Sequence, residues 1–430
     1  MSNRRILYIV LDGLGDEPIP KLRNQTPLEF AQTPVMDELA RGGCSGLLYT
    51  VGKGIAPESD IAVISILGYS PETYTGRGPL EAHAAGLEVG SGDLAYRVNF
   101  ATVGEGMRIV DRRVGRTLKT EEAFLLENEI NNKVILDGDR ALFSFKSTVG
   151  HRGVLVFYPK AGELSPWVTN TDPAYGRDGL IGVALKVFEE FVKECKPLEG
   201  HEEDESTLVS ASVTNEFIEK SHRVLAKSEI NDERVRRGEL AANIILTRDA
   251  GTGLPQFKTI ADLYDARLGC FVEMPVERGI ALLTGMDIIE VGELTGQRGR
   301  DYSLLAEKVL ETMGNFDGLY VHIKGPDIPA HDGDFHEKVR VIEDIDDFFF
   351  GKLIPDVNLS ETLVVITADH ATSSLQKSHT SHPVPLVLSG SGIDPDGTEC
   401  FGETASSHGS LGELMGNELM PLLMEKVRIS

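Results

Sequence analysis

The chain has 430 residues, of which 41% are hydrophobic and 25% charged, and this length predicts two domains because it exceeds what one hydrophobic core usually organises. The formal net charge of −25 argues against nucleic acid or an anionic membrane as a partner. No stretch approaches the ~18 consecutive apolar residues of a transmembrane helix, and the four cysteines lack metal or disulfide spacing. We therefore expect a cytoplasmic protein with reduced cysteines.

The N-terminal segment alternates strands and helices. The continuous apolar run Arg5–Leu11 predicts a strand that is buried on both faces of a parallel sheet. A helix over Pro34–Gly42 and a strand near Gly46–Thr50 follow. Ser59 then opens a helix that includes Ile61–Leu67. This order is typical of the first half of an α/β fold.

The middle of the chain has a different pattern. Two strands are predicted to form a hairpin around a Gly-Glu-Gly turn, and further strands and helices follow without regular alternation. The predicted elements are strands Tyr96–Val103, Met107–Asp111, Val154–Phe157 and Asn243–Thr247, a helix over Leu180–Cys195, and a helix within Leu208–Lys227. This segment is predicted to be a smaller α+β domain.

Strand–helix alternation returns after about residue 265. The predicted strands are Gly269–Glu273, Leu319–Ile323, Leu363–Thr367 and Val384–Ser389, and the helices are Val276–Leu283, Tyr302–Met313 and Phe335–Phe350. The pattern predicts an α/β fold with a doubly wound, mostly parallel sheet. We expect one discontinuous domain over residues 1–88 and 256–430, interrupted by an inserted α+β domain over residues 89–255.

Aspartate and histidine cluster around the predicted strand ends. Asp12 and the pair Asp369-His370 each follow an apolar strand, and ligands bind at the carboxyl ends of strands in open α/β sheets. Asp327 and His331 are four residues apart, which puts both on one face of a helical turn. Taken alone, Asp12 before Gly13 is equally typical of a turn.

Two further features of this region stay open from the residues alone. His379 and His382 compete for one ligand position, and Asp334 could act as a helix cap or support a metal ligand. The candidate ligands are oxygen atoms and imidazoles, without a thiolate. Such ligands suit Mn²⁺, Zn²⁺ or Mg²⁺, and the number of histidines favours Mn²⁺ or Zn²⁺. Two such ions would clamp an anionic group such as phosphate.

Ser59 is the candidate nucleophile. It opens a helix after a loop rich in glycine and proline, so its hydroxyl is expected at the positive end of the helix dipole, where phosphate is also favoured. A serine beside a metal can attack phosphorus. The simpler interpretation of a single serine at this position is a helix N-cap, and only the metal cluster elsewhere favours the catalytic one.

These residues resemble a known family. The motifs are Leu11-Asp12-Gly13, Ser59-Asp60, Leu67-Gly68-Tyr69, Thr75-Gly76-Arg77-Gly78-Pro79, Asn99-Phe100-Ala101-Thr102-Val103, Asp111-Arg112-Arg113, His151-Arg152, Lys324-Gly325, His331-Asp332-Gly333-Asp334, Asp369-His370 and His379-Thr380. In this order and over essentially the whole chain, they resemble the archaeal-type cofactor-independent phosphoglycerate mutases of the alkaline phosphatase superfamily.

The resemblance implies a phosphatase-like domain that holds two divalent ions (Mn²⁺ favoured, with Zn²⁺, Co²⁺ or Mg²⁺ as alternatives) and an inserted domain that grips the substrate. It implies that Asp327, His331 and His379 hold one ion. It assigns Asp12, Ser59, Asp369 and His370 to the other. His379 is selected over His382 because the family's histidine directly precedes Thr or Ser.

The implied reaction interconverts 3-phosphoglycerate and 2-phosphoglycerate through a phosphoserine at Ser59, without 2,3-bisphosphoglycerate, as a step of glycolysis and gluconeogenesis. Lys324 would neutralise phosphate charge. Asp111 is the first candidate for the acid/base, and Asp172 and His151 are the next candidates. The candidate substrate-binding residues, most of them guanidinium groups that pair with carboxylates, are Arg112, Arg113, Arg116, His151, Arg152, Arg177 and Arg248.

Two rival interpretations remain at this point. One is another phosphoryl-transfer enzyme of the superfamily, such as a phosphatase or a homoserine-kinase-like relative, although a phosphatase would not need an arginine-rich insert. The other is a weakly catalytic relative that binds metabolites, which predicts loss of a metal ligand or of the nucleophile. Glu58 and Asp249 stand where the family pattern has glycine, and the oligomeric state is left open.

Overall fold

The computed structural model describes residues 4–185 and 187–428. The strands, numbered along the chain, are β1 Arg5–Leu11, β2 Gly43–Tyr49, β3 Leu94–Val103, β4 Ile109–Asp111, β5 Ala141–Ser147, β6 Arg152–Pro159, β7 Tyr175–Asp178, β8 Ile181–Ala184, β9 Ile244–Thr252, β10 Leu268–Phe271, β11 Asp287–Ile288, β12 Gly318–Ile323, β13 Thr362–Thr367, β14 Ala371–Ser373, β15 Ser378–Thr380, β16 Val384–Gly390 and β17 Gly412–Met415.

The helices are numbered in the same way. They are α1 Pro27–Phe30, α2 Pro34–Arg41, α3 Ser59–Ile66, α4 Arg77–Ala84, α5 Thr120–Lys133, α6 Glu205–Leu225, α7 Glu229–Arg236, α8 Ile260–Tyr264, α9 Pro275–Thr284, α10 Arg298–Thr312, α11 Asp327–Asp332, α12 Phe335–Asp344, α13 Gly351–Leu353, α14 Glu403–Ser406 and α15 Gly416–Arg428. A π-helical segment over Ile345–Phe350 joins α12 to α13. Within the described ranges, no helix is both long and apolar enough to cross a membrane.

The chain divides into two compact units. The first runs from the N-terminus to Tyr74 and from Phe257 to the C-terminus, and the second covers Thr75–Gln256. The second unit therefore starts earlier than residue 89. It includes α4 because the apolar side of this helix, with Ala82, packs on Ala95 of β3 and on Val154 and Val156 of β6.

The first unit is built on one large sheet, with strand order β11-β10-β12-β1-β13-β16-β2-β17. The strands from β11 to β13 are parallel to their neighbours, whereas β16 is antiparallel to both β13 and β2. Ile6 to Leu11 of β1 are all buried, because this strand has neighbours on both edges and cover on both faces. The predicted α/β class with a mostly parallel sheet is confirmed.

The second unit contains an antiparallel sheet in the order β4-β3-β6-β5, with β9 on the other edge of β3. The predicted hairpin of β3 and β4 is present, with Thr102 opposite Asp111. Strand β9 extends to Thr252, so the glycine-rich segment after Thr247 continues the strand. Helix α6 covers one face of this sheet through Val213 and Phe217.

The predicted helix over Leu180–Cys195 is wrong; residue 186 lies outside the described residues. Its first part, β8, pairs with β7 in a two-stranded hairpin. The last part of this segment forms backbone hydrogen bonds with the edge of the sheet. The Ile109 N–H donates to the Glu190 carbonyl at 2.8 Å, and the Val192 N–H donates to the Met107 carbonyl at 3.1 Å. These tertiary hydrogen bonds override the helical propensity of the segment.

Candidate metal centre

Two parallel strands end at the same point of the first unit. Val10 of β1 lies beside Thr367 of β13, so Asp12 and Asp369 leave neighbouring strand ends. The Asp369 Oδ1 accepts hydrogen bonds from the Gly13 N–H at 3.1 Å and the His370 N–H at 3.0 Å. These bonds hold the carboxylate, and its other oxygen, Oδ2, is left for the site.

One group of donors forms around these strand ends. The ligand atoms of Asp12, Asp369 and His370 all lie within 4.8 Å of one another. The His370 Nε2 is 3.3 Å from Asp12 Oδ1 and 3.4 Å from Asp369 Oδ2. Ser59 Oγ is 3.0 Å from the same nitrogen. The structure thus brings together the four residues that the family resemblance assigns to one ion.

A second group lies directly beside the first. Its ligand atoms, from Asp327, His370 and His379, are also within 4.8 Å of one another. His331 joins it through α11, with Nε2 at 3.3 Å from Asp327 Oδ1, as the four-residue spacing predicted. His370 and His379 stack with ring centroids 3.8 Å apart. The two groups are therefore continuous.

The histidines have a common orientation. Their Nδ1 atoms each meet an oxygen of the chain: His331 the Lys377 carbonyl at 3.1 Å, His379 the Pro57 carbonyl at 2.8 Å, and His370 the Thr372 hydroxyl at 3.0 Å. Their Nε2 atoms all point at carboxylates. This is how proteins orient metal-ligating histidines, because the outer hydrogen bond fixes the tautomer.

The unpaired atoms of the site fit a divalent cation. Asp12 Oδ1 and Asp369 Oδ2 are buried and have imidazole nitrogens of His370 and His322 at 3.3 to 3.5 Å, but neither oxygen receives a well-aligned hydrogen bond from the described residues, a costly state for a carboxylate oxygen. Burial opposes protonation of His379, yet Asp327 and Glu58 raise its pKa to about 9. The side chains thus favour positive charge at this point, and the donor set of oxygen and imidazole suits a Mn²⁺- or Zn²⁺-class ion.

Lys324 lies next to the first group. Its Nζ is 2.9 Å from Asp12 Oδ2 and 2.5 Å from Glu277 Oε1. Burial disfavours its charge, but Asp12 and Glu277 prevail and raise the pKa of Lys324. The lysine is therefore a fixed cation beside Asp12 of the first group.

Sequence reasoning missed Glu277, Thr372 and the position of His322. Glu277 is 1% exposed in α9 and lies between Lys324 and His322, which is 3.5 Å away. Glu277 is the third residue of α9, where a glutamate is typical of helix capping, so its sequence position does not mark it as a site residue. Thr372 links the two metal groups, since its hydroxyl donates to Asp327 Oδ1 at 2.7 Å, and no sequence pattern marks it.

Lys338 contacts the loops that carry the site residues, and sequence reasoning missed it as well. Its side chain is fully buried in α12, and Nζ donates to the Gly15 carbonyl at 3.0 Å, Asp16 Oδ2 at 3.0 Å and the Thr372 carbonyl at 2.9 Å. All three ammonium protons are therefore used. The lysine ties the loop after β1 to β14, which carry Asp12 and Thr372 respectively.

We expect Lys338→Met to lower the free energy of unfolding of the first unit by about 3–5 kcal/mol, because Asp16 would keep a buried charge without its partner. Thermal melting and urea denaturation of the metal-free protein measure this loss. The double variant with Asp16→Asn is expected to recover part of it, since the orphaned charge is then removed. Equal stability of Lys338→Met and wild type would contradict the role given to this ion pair.

Ser59 is the first residue of α3, and Glu58 is its N-cap residue without a side-chain capping bond. The Ser59 hydroxyl lies 3.0 Å from His370 Nε2, so it faces the candidate metal centre. Glu58 Oε1 is 3.7 Å from His379 Nδ1. Glu58 therefore adds a carboxylate beside the candidate nucleophile.

The two open questions of the sequence have geometric answers. His382 is exposed, and its Nδ1 lies 3.1 Å from the Thr380 hydroxyl; its residue belongs to neither donor group. The Asp334 carboxylate accepts the Glu337 N–H at 2.9 Å, so it caps α12.

In the second unit, several of the predicted substrate-binding residues lie together. Burial, with the charges of Arg152, Arg113, Arg116 and Arg248, lowers the pKa of His151 to about 4, so this imidazole is neutral at neutral pH. A cavity of about 380 Å³ is lined by Asp111, Arg112, Arg113, Arg116 and residues of the neighbouring loops. This region is strongly basic in an acidic protein.

Other candidates have mainly internal contacts. Arg112 pairs bidentately with Asp172 at 2.7 and 2.9 Å. Arg177 donates to the carbonyls of Pro166, Val168 and Ala250 at 2.6 to 3.0 Å. Asp111 Oδ1 accepts the N–H groups of Arg113 and Gly115 at 2.7 and 2.8 Å. Such bonds position the loops of this region.

The turn held by Asp111 is strained. Val114, Gly115 and Arg116 have φ values of +53°, +60° and +57°, and consecutive left-handed residues cost about 1–2 kcal/mol each when they carry a side chain. Strain of this kind gathers at ligand sites. It supports a binding role for the turn that presents Arg113 and Arg116.

Comparisons with known proteins show the family of the chain. Residues 40–231 match the model of a family described as 2,3-bisphosphoglycerate-independent phosphoglycerate mutase. A relative of that description from Aeropyrum pernix is 43% identical over 96% of both chains. Solved structures of a protein from Pyrococcus horikoshii (30% identity, TM-score 0.78, 99% and 98% of the two chains) and of the cofactor-independent phosphoglycerate mutase of Thermoplasma acidophilum (31%, 0.65, 99% and 100%) are similar throughout. The chain therefore belongs to the 2,3-bisphosphoglycerate-independent phosphoglycerate mutase family of isomerases.

Proposed function

We propose that the protein interconverts 3-phosphoglycerate and 2-phosphoglycerate through a phosphoserine at Ser59, with two divalent ions and without 2,3-bisphosphoglycerate. The observation that carries this proposal is the position of Ser59 Oγ, 3.0 Å from His370 Nε2. His370 is the residue that the two donor groups share. A hydroxyl at the N-terminus of α3 and next to a metal centre is placed to attack a phosphorus atom.

Asp12, Ser59, Asp369 and His370 would hold one ion, and Asp327, His331 and His379 the other, with Mn²⁺ favoured. When bound, the ions would supply Lewis-acid stabilisation of the phosphoryl oxygens and a lowered pKa for the serine hydroxyl. Lys324, fixed by Asp12 and Glu277, would add a third positive charge for the phosphoryl group.

The chemical steps balance without an external phosphate donor. Ser59 Oγ forms a bond to phosphorus, the bond from phosphorus to the 3-oxygen of glycerate breaks, and that oxygen takes up a proton while the serine loses one. The 2-hydroxyl of the bound glycerate then forms a bond to phosphorus and loses its proton, while the bond from phosphorus to Ser59 Oγ breaks and Oγ takes up a proton. No redox step is needed, and bisphosphoglycerate has no role.

The second unit would bind the glycerate carboxylate. Around its α4 and β3, the basic residues Arg77, Arg97, Arg152 and Arg248 outnumber the carboxylates of Glu81 and Asp249. Guanidinium groups bind carboxylates bidentately. The neutral state of His151 leaves it able to accept or donate a proton at a glycerate hydroxyl, and Asp111 and Asp172 are the other candidate acid/base groups.

A coupled assay tests this proposal. Purified protein with Mn²⁺ and 3-phosphoglycerate, without bisphosphoglycerate, is expected to form 2-phosphoglycerate, measured through enolase. Prior chelation should abolish product, and added Mn²⁺ should restore it. Absence of product with Mn²⁺, Zn²⁺, Co²⁺ and Mg²⁺ would refute the mutase, and release of inorganic phosphate in its place would identify a phosphatase. Location in the cytoplasm stays a prediction.

A further inference from the structure

Asn99 has a buried side chain without hydrogen bonds. The residue lies in β3 of the second unit and is 2% exposed, yet neither its Oδ1 nor its Nδ2 has a partner among the described residues. Each unpaired buried polar atom costs about 1–3 kcal/mol. A group of this kind in a native protein calls for an explanation, such as a catalytic role or contact with a bound water or ion.

The strand register places Asn99 among the arginines of the second unit. Asn99 is directly opposite Arg152 of β6, and Arg97, two residues earlier on the same face of β3, is opposite Arg248 of β9. Directly opposite residues have side chains on one face of the sheet, about 5 Å apart. Asn99 therefore shares a face with three cations.

A second group without a hydrogen bond is the Nε–H of Arg248, which is opposite Arg97 and therefore two residues along β3 from Asn99. The Nε–H of Arg248, a residue that is 5% exposed, also makes no hydrogen bond to the described residues, and its nearest carboxylate oxygen, Asp249 Oδ2, is 3.8 Å away. The guanidinium lies over the ring of Tyr175, 4.2 Å from its centroid, so its position is fixed. Two adjacent, ordered and buried side chains thus present unused hydrogen-bonding atoms on the same face.

The chemistry of the amide distinguishes the group it can bind. An arginine only donates, and a carboxylate or phosphate only accepts, so either anion would satisfy Nδ2 and leave Oδ1 unpaired. A hydroxyl both donates and accepts, so it can donate to Oδ1, which a carboxylate cannot do, or accept from Nδ2. A site that combines arginines with an unpaired amide therefore matches a hydroxy acid.

We propose that Asn99 binds the free hydroxyl of the glycerate and that it thereby selects hydroxy acids over acids without this group. This inference rests on the proposed function for the identity of the ligand. Asn99 is a specificity-determining residue in it: the arginines supply affinity for negative charge, and the amide reads the hydroxyl.

The test compares two ligands in the full-length protein with Mn²⁺, in a Ser59→Ala background that prevents turnover. Isothermal calorimetry is expected to show that 3-phosphoglycerate binds at least about tenfold more tightly than 3-(phosphonooxy)propanoate, which lacks the 2-hydroxyl. With Asn99→Leu, this preference should fall to near one while the weaker ligand keeps its affinity. If Asn99→Leu left the preference between the two ligands unchanged, the inference would be overturned. If neither ligand bound to the Ser59→Ala protein that still has Asn99, the proposed function would be refuted as well.

The melting temperature distinguishes a ligand-binding role of Asn99 from a purely structural one. Asn231 is a matched control, because it is buried and its amide is fully bonded to Leu225 and Ala242. We expect Asn231→Leu to lower the melting temperature of the metal-free protein and Asn99→Leu to leave it unchanged or to raise it. An equal loss of stability in both variants would show that Asn99 is a structural residue, and the inference would fail.

Discussion

Replacing Ser59 with alanine is expected to lower the rate of phosphoglycerate interconversion by at least about three orders of magnitude, since loss of a covalent nucleophile removes the pathway and not merely a binding contact. Ser59 is the first residue of α3, and its Oγ lies 3.0 Å from His370 Nε2. The variant should also fail to retain radioactive phosphate after denaturation, because no phosphoserine forms.

The same helix supplies a control for this prediction. Ser65 is buried in α3, and its hydroxyl has no partner among the described residues. Ser65→Ala therefore removes the same atoms from the same helix without touching the metal centre, and it should keep nearly full activity. Circular dichroism checks that both variants are folded. Substantial turnover by a folded Ser59→Ala protein would remove this residue from the mechanism.

His379→Ala is expected to bind one equivalent of divalent ion fewer than wild type and to lose turnover by at least about two orders of magnitude, because even groups that only support a metal ligand are worth 10- to 100-fold. His379 Nε2 lies 3.6 Å from Asp327 Oδ1, and its Nδ1 is held by the Pro57 carbonyl at 2.8 Å. Removal of the ring therefore deletes a preoriented donor.

His382 is the matched control for this measurement. It has the same side chain three residues later, but it is exposed and its residue is in neither donor group. His382→Ala should keep both equivalents after dialysis against Mn²⁺, as counted by plasma mass spectrometry. If His382→Ala lost an ion and His379→Ala did not, the ligand assignment would have to be reversed.

Much of the first unit could be predicted because its signals are local. Apolar runs ending in Asp12 and Asp369 mark strand ends, and Asp327 with His331 has the spacing of one helical turn. The contacts of Glu277, Thr372 and Lys338 could not be predicted. Glu277 acts on residues that come 45 or more positions later, and nothing in a single sequence specifies which buried charge will meet which loop.

The second unit was harder to predict for two physical reasons. The segment after Gly179 has helical propensity, but its backbone hydrogen bonds go to β7 and to the edge beside β4. The roles of arginines depend on what else they touch, and this chain has internal partners for Arg112 and Arg177 that no motif reveals. Asp111 is still a candidate acid/base, although its Oδ1 is occupied by the strained turn.

The central position of β1 has a consequence for synthesis on the ribosome. This strand pairs with β12 and β13, whose residues come more than 300 positions later, whereas the second unit is formed by one continuous stretch of chain. Pairing between such distant segments is slow because long loops must close first. During translation, the second unit can fold as soon as it emerges, but the N-terminal strand must wait for the C-terminal third of the chain. A chain truncated near residue 260 and released from the ribosome should accordingly protect the second unit from protease and leave β1 open to chaperones.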